Sequence, residues 1–237
     1  MKVLVIGATG GSGRAAVSEL VRRGYDVTAL SRHASSLTGV KGVDGDVTDA
    51  ELVDGLVRGQ DAVVVTLGIS ESAVRVRLRG PAGTPMDIRS RGTRTVLAAM
   101  RRHGVRRVVV QTSYGVGPTR ERLPLLSRMV FAVLLRPQIA DTERQGAELR
   151  DSGLDWVEVQ PVNLTDEPWT GEPVTSTSGE IAGLKVSRAQ VGWLLAEAVE
   201  NTALVRQTVS VSAGAGAGRG AVPRDVRVTR VPPVRPS

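Results

Sequence analysis

At 237 residues with a net charge of +7, the chain is long enough for one α/β domain with a full core. It has no cysteine and two histidines, His33 and His103, which excludes disulfides and thiolate chemistry and argues against a histidine metal cluster or a Ser-His-Asp triad. The charge does not indicate nucleic acid. Five arginines beyond Ala213 (Arg219, Arg224, Arg227, Arg230, Arg235) face one acid, Asp225, a surplus of four confined to the tail, and aromatic residues for base stacking are 3% of the chain. The longest apolar stretch, Leu123 to Leu135, is broken by Ser127 and Arg128 and is too short to span a bilayer. An apolar run begins at residue 3 and leaves no room for a signal peptide ahead of it, so a cytoplasmic protein with no membrane partner is expected.

That run, Val3 to Ile6, reads as a buried parallel strand. Gly7, Gly10 and Gly13 follow at three-residue spacing, and a helical pattern opens at once with Ala15, Ala16, Leu20 and Val21. Strand, glycine turn and helix in this order form the phosphate-binding unit of a dinucleotide fold. Gly7 permits the sharp turn. Gly10 leaves space for a pyrophosphate, and Gly13 lets the helix pack close to the sheet. The free N–H groups and the positive end of the helix dipole then face the anion.

Strand and helix signals alternate from there, as expected of a doubly wound parallel sheet, a Rossmann fold. Asp26 to Leu30 reads as the second strand. No acid stands at its end to bind a ribose 2′-hydroxyl; Arg32 does, and a guanidinium there suits a 2′-phosphate, favouring NADPH over NADH. Val40 to Val43 is a third strand, Asp49 to Val57 a helix, and Asp61 to Leu67 a fourth strand ending at Gly68. Residues 69–86 alternate Arg75, Arg77 and Arg79 with apolar residues, an exposed loop or a flap. Met86 to His103 reads as a helix stopped by Gly104, and Arg106 to Thr112 as the fifth strand, with Ser113 and Tyr114 beyond it. Asp141 to Ser152 is a helix begun by Asp141. Asp155 to Gln160 is the sixth strand. Residues 164–186 are loop-rich, Ser187 caps a helix to about Glu200, and Gln207 to Ser212 is the last strand. The domain is therefore expected over 1–212, with lid segments at 69–86, 115–140 and 164–186, and residues 213–237 as a disordered Ala/Gly/Arg/Pro tail.

Several segments go beyond a generic match: Gly-Ala-Thr-Gly at 7–10, Gly-Asp-Val at 45–47, Gly-Gln-Asp-Ala-Val at 59–63, Gly-Thr-Arg-Thr-Val-Leu-Ala-Ala-Met at 92–100, His-Gly-Val at 103–105, Thr-Ser at 112–113 and Leu-Arg-Asp-Ser-Gly-Leu-Asp-Trp at 149–156. On these the chain resembles the atypical short-chain dehydrogenase/reductases of the NmrA-like NAD(P)-binding group, nearest the biliverdin-IXβ reductase/flavin reductase branch. The resemblance implies cofactor contacts at Gly7, Thr9, Gly10, Gly11, Ser12, Gly13, Arg32, Asp46, Val47, Leu67, Gly68 and Thr112, with Asp46 accepting from the adenine amine. It places Pro161 and Val162 along the nicotinamide and Ser113 near the reacting atoms. The branch has a histidine where this chain has Asn163.

The usual Tyr-x-x-x-Lys pair is absent, since Ala29 and Pro118 stand four residues after Tyr25 and Tyr114. The candidate catalytic groups are thus Ser113, to orient an acceptor or relay a proton, and Tyr114, the one phenol near the expected site. The sequence leads to an NADPH-dependent oxidoreductase passing hydride to a planar conjugated acceptor, flavin-like, quinone-like or a biosynthetic intermediate. The alternatives are an epimerase, dehydratase or ketoreductase on the same scaffold, and a non-catalytic NADP-binding redox sensor. The expected partner is a small planar substrate, with the protein a monomer or small homo-oligomer and no metal.

Overall fold

The computed structural model describes residues 1–68, 84–122 and 136–214. Expectations that fall on the segments between and after these, the arginine flap and the tail among them, lie outside the described residues. The elements run β1 (Lys2–Ile6), α1 (Gly11–Arg22), β2 (Asp26–Ser31), β3 (Lys41–Asp44), α2 (Ala50–Val57), β4 (Ala62–Val65), α3 (Ile88–His103), β5 (Arg107–Gln111), α4 (Arg136–Arg150) and β6 (Asp155–Pro161). Then come β7 (Asn163–Thr165), β8 (Pro173–Ser176), β9 (Lys185–Ser187), α5 (Arg188–Glu200) and β10 (Gln207–Ala213).

Eight strands form one sheet in the order β3-β2-β1-β4-β5-β6-β10-β8. Neighbours are parallel throughout except β8, which lies antiparallel to β10. β7 and β9 pair separately as a short parallel ribbon. The chain winds outwards from β1 to β3, then returns to lay β4 against the other side of β1. That reversal opens a crevice at the carboxyl ends of β1 and β4, where open α/β sheets take their ligands.

Both faces of the sheet are covered, so its strands read as unbroken apolar runs. Val3 and Val5 face α1 and α5 together with Val109, Val157, Leu20 and Leu195. Leu4 and Ile6, one residue out of phase, face α2, α3 and α4 with Val63, Val65, Val96 and Met100. On the first face α1 and α5 approach closely at Gly192, where a Cβ would stand 2.5 Å from the carbonyl carbon of Ala15. Helix ends follow their signals. Gly104 closes α3 in the left-handed region (φ 69°) behind Arg101, Arg102 and His103, and Ser187 opens α5 with a reciprocal capping box to Gln190.

Three expectations are corrected. Helix α3 starts at Ile88, not Met86. Helix α4 starts at Arg136, so Asp141 lies in its second turn and does not begin it. The loop-rich stretch 164–186 carries β8 and the edges of β7 and β9, because strands of three or four residues show too little alternation to be read and are fixed by partners, β8 by β10. Among the described residues no helix is long and apolar enough to cross a membrane.

Gly192→Ala would push α1 and α5 apart. The expected loss of stability is about 1–3 kcal/mol in urea unfolding. A variant as stable as the parent would show that the two helices separate at no cost.

Candidate functional site

The glycine turn is built by close approach. Gly7 sits at φ 78°, and a Cβ on it would lie 2.8 Å from the Thr66 carbonyl oxygen. A Cβ on Gly13 would run into the Gly7 carbonyl oxygen and stand 2.9 Å from the Cα of Ala8. Helix α1 therefore starts directly against the ends of β1 and β4. The Thr66 hydroxyl donates to the carbonyls of Ile6 (3.0 Å) and Gly7 (3.3 Å), fastening the junction. Arg14 Nε donates to the Thr9 carbonyl (3.0 Å), and Thr9 Oγ1 donates to Ser31 Oγ (2.9 Å), tying the turn to the end of β2. Gly10 precedes α1 with no side-chain cap, and no acid lies in the first turn. The opening N–H groups of α1 are left for an anion.

A cavity of about 210 Å³ opens beside this turn. Its wall brings together Gly7, Thr9, Gly10, Arg32, Asp46, Val47, Leu67 and Gly68 with Ile6, Ser31, Thr66, Thr84, Pro85 and Ile88. Asp46 accepts from the backbone N–H (2.8 Å) and hydroxyl (2.7 Å) of Thr48, both on Oδ1. Those bonds, with Arg32 and Arg91 nearby, hold its carboxyl below the usual 3.8, so it is ionised at neutral pH.

The other expected cofactor residues do not line this cavity. Gly13 is filled by packing and Ser12 is buried. The place of a Cβ on Gly11 is taken by Cδ and Nε of Arg188, whose Nη1 pairs with Asp166 (2.7 Å). Thr112, Pro161 and Val162 belong to the neighbouring strand ends. Thr112 N donates to the Val159 carbonyl, Tyr114 N to that of Pro161 (3.0 Å), and Val162 N to that of Val211 (3.2 Å).

The loop after β5 rests on a buried polar cluster that sequence reasoning missed. Glu158, 1% exposed in mid-β6, accepts four bonds. Oε1 takes Thr112 Oγ1 (2.9 Å) and Gln160 Nε2 (3.0 Å); Oε2 takes Arg150 Nη1 (2.7 Å) and Thr208 Oγ1 (3.0 Å). Gln160 also donates to the Val116 carbonyl (3.1 Å) and accepts from Thr119 Oγ1 (2.6 Å), and Thr119 Oγ1 accepts from Gly115 N (2.8 Å). Residues on both sides of Ser113 are thus fixed. The one sequence signal was polar residues at 158 and 160, each set between apolar residues of β6.

Tyr114 is 7% exposed, and its hydroxyl donates to the Gly179 carbonyl (2.9 Å). Burial pushes its phenol up, against a smaller opposing effect of Arg122. Its proton is engaged by the segment between β8 and β9. Ser113 is partly exposed, and its hydroxyl has no hydrogen bond among the described residues. Trp169 packs edge-on against Trp193 (centroids 6.1 Å apart) and donates to the Gly171 carbonyl, which ties the stretch before β8 to α5. Among the described residues no group of three acidic or histidine side chains is placed to hold a metal.

The reversed strand order, the glycine turn beneath an uncapped helix and the cavity over both define a Rossmann-type dinucleotide-binding protein. Residues 7–202 match the family described as NAD(P)H-binding, and the chain belongs to that family. An uncharacterized chloroplastic protein of Arabidopsis thaliana is 26% identical over 84% of this chain and 71% of its own length. The 2-alkyl-3-oxoalkanoate reductase of Stenotrophomonas maltophilia is 34% identical over 49% of this chain, which spans 34% of that enzyme. Among solved structures, ChuY of Escherichia coli O157:H7, described as an anaerobillin reductase, superposes with a TM-score of 0.72 at 23% identity, covering 93% of this chain and all of that one. That last likeness is one of fold.

Glu158→Gln keeps the volume of the cluster but removes the charge that Arg150, Thr112 and Thr208 share. It is expected to lower stability by about 1–3 kcal/mol in denaturant unfolding. Unchanged stability would mean that the cluster reorganises around an amide.

Proposed function

We propose that the protein is an NADPH-dependent oxidoreductase that reduces a planar conjugated acceptor. The observation that carries the reading is Ser113, a hydroxyl with no hydrogen bond among the described residues, set between two anchored neighbours at the carboxyl end of β5, next to the strand whose end lines the cavity. The residues fit the dinucleotide. The N–H groups opening α1 would donate to its diphosphate, with Gly10 leaving the approach clear. Arg32, where an NAD enzyme would carry an acid, suits a 2′-phosphate. Asp46, ionised and open at Oδ2 among the described residues, would accept from the adenine amine. The bound nicotinamide supplies the hydride.

The protein's own part is then to hold the acceptor flat and limit water. Ser113 Oγ orients the acceptor or passes it a proton. Tyr114 serves as a strut, since its proton is committed to Gly179. The reductase activity of the E. coli neighbour supports reduction as the direction. The missing Tyr-x-x-x-Lys pair weighs against alcohol–ketone interconversion; beside the alternative of an epimerase or dehydratase on the same scaffold, the reading opposed to an enzyme is a redox sensor that binds the cofactor without turnover.

NADPH oxidation with FMN, dichlorophenolindophenol or a quinone separates the two. Tight NADPH binding with no turnover across that panel would sink the enzyme reading. Ser113→Ala is expected to lower kcat roughly ten- to a hundredfold while NADPH affinity holds. Arg32→Ala is expected to weaken NADPH binding about tenfold or more and NADH binding little. Equal losses for both cofactors would detach Arg32 from the 2′-phosphate.

A further inference from the structure

Most partly buried arginines described in the structure have an evident counterpart. Arg23 meets Glu19 and Glu197, Arg150 meets Glu158, Arg188 meets Asp166, and Arg107 donates to the carbonyls of Val199 and Asn201 behind α5. Arg89, the second residue of α3, has only neutral acceptors among the described residues, as Arg107 does, but it stands beside the cavity. Its side chain turns back under the end of β4. Nε donates to the Leu67 carbonyl (3.2 Å) and Nη1 to Thr142 Oγ1 on α4 (3.3 Å). Among the described residues Nη2 has no acceptor, and no carboxylate forms an ion pair with the group. Asp141 stands nearby, but its oxygens are taken by the backbone N–H groups of Arg89 (3.0 Å) and Ser90 (3.2 Å) and by the Ser90 hydroxyl (2.5 Å). Burial pulls the guanidinium's pKa down, opposed only by the Asp141 charge.

A guanidinium cannot shed its proton in a protein. A desolvated charge held, among the described residues, by one carbonyl and one hydroxyl favours an anion at its remaining N–H groups. The described residues leave the approach open. Nη2 lies 3.4 Å from where a Cβ on Gly68 would be, Gly68 is exposed, and both Gly68 and Ile88 line the cavity. β5, which leads to Ser113, is the hydrogen-bonded neighbour of β4. We propose that Arg89 is the anion subsite of the acceptor pocket, and that the acceptor is an acid whose carboxylate or phosphate docks on Nη2. The proposal rests on the reading that an electron acceptor binds over Ser113, and it narrows that acceptor's chemical class.

FMN and riboflavin share one ring system and differ by a phosphate, so their binding to the NADP⁺-loaded protein, followed by flavin fluorescence quenching, reads the subsite without turnover. The parent is expected to bind FMN about tenfold or more tighter than riboflavin. Arg89→Met is expected to bring that ratio close to one, and Arg89→Lys to keep part of it. Thermal melts establish that each variant is folded, and the Lys variant carries the comparison if the Met variant is not. Equal affinity for the two flavins in the parent would overturn the proposal. So would an unchanged ratio in Arg89→Met, or a loss of NADP⁺ affinity in place of the ratio, which would assign Arg89 to the cofactor. NADPH oxidation by both flavins is measured alongside. A phosphate-dependent binding ratio without oxidation counts against the oxidoreductase reading and leaves the anion subsite standing.

Discussion

The arrangement at the carboxyl end of the sheet depends on a steric constraint at one point, the contact of Gly13 with Gly7 and Ala8. Without a Cβ at 13, the first turn of α1 sits directly on the end of β1; with one, it would collide with the Gly7 carbonyl. The same junction takes in β4 through the Thr66 hydroxyl and β2 through Thr9 and Ser31. The ends of β1, β2 and β4 and the start of α1 are therefore tied together at one junction. The cavity is the space that this junction leaves where the strand order reverses.

Much of this was legible in the sequence because it is local. Val3–Ile6, Ala62–Val65 and Val108–Val110 are unbroken apolar runs, as strands covered on both faces must be. The glycine turn, Gly104 after α3 and Ser187 before α5 are chemical signals acting within a few residues. The strands between 163 and 187 were not legible, because a three-residue segment becomes a strand only by having a partner, and β8 finds its partner in β10.

The candidate site divides along the same line. Gly7, Gly10, Arg32, Asp46 and Gly68 each stand at or just beyond the carboxyl end of a strand, so reading the strands placed them. What surrounds Ser113 could not be read that way. Thr112 is held by Glu158, 46 residues on, and Tyr114 by the Gly179 carbonyl, 65 residues on. A carboxylate in mid-strand looks like an error of pattern until the cluster that satisfies it is seen. Tyr114 shows what residue type alone leaves out: a phenol at the expected place suits acid catalysis, and among the described residues its hydroxyl joins two loops. Arg89 shares α3 with Arg91 and Arg94, and nothing in residue type separates it from them; its position against the end of β4 does.

The carboxylate of Asp141 belongs to α4 but covers the first amides of α3, whose own preceding residue, Asp87, offers no side-chain bond to them. A helix end normally frays by itself, on a short timescale and at little expense. Here the amide protons of Arg89 and Ser90 are bonded to a helix far off in the chain. Their exchange with deuterium therefore reports on tertiary docking as well as on local fraying, because the start of α3 is tied to α4 beside the cavity mouth.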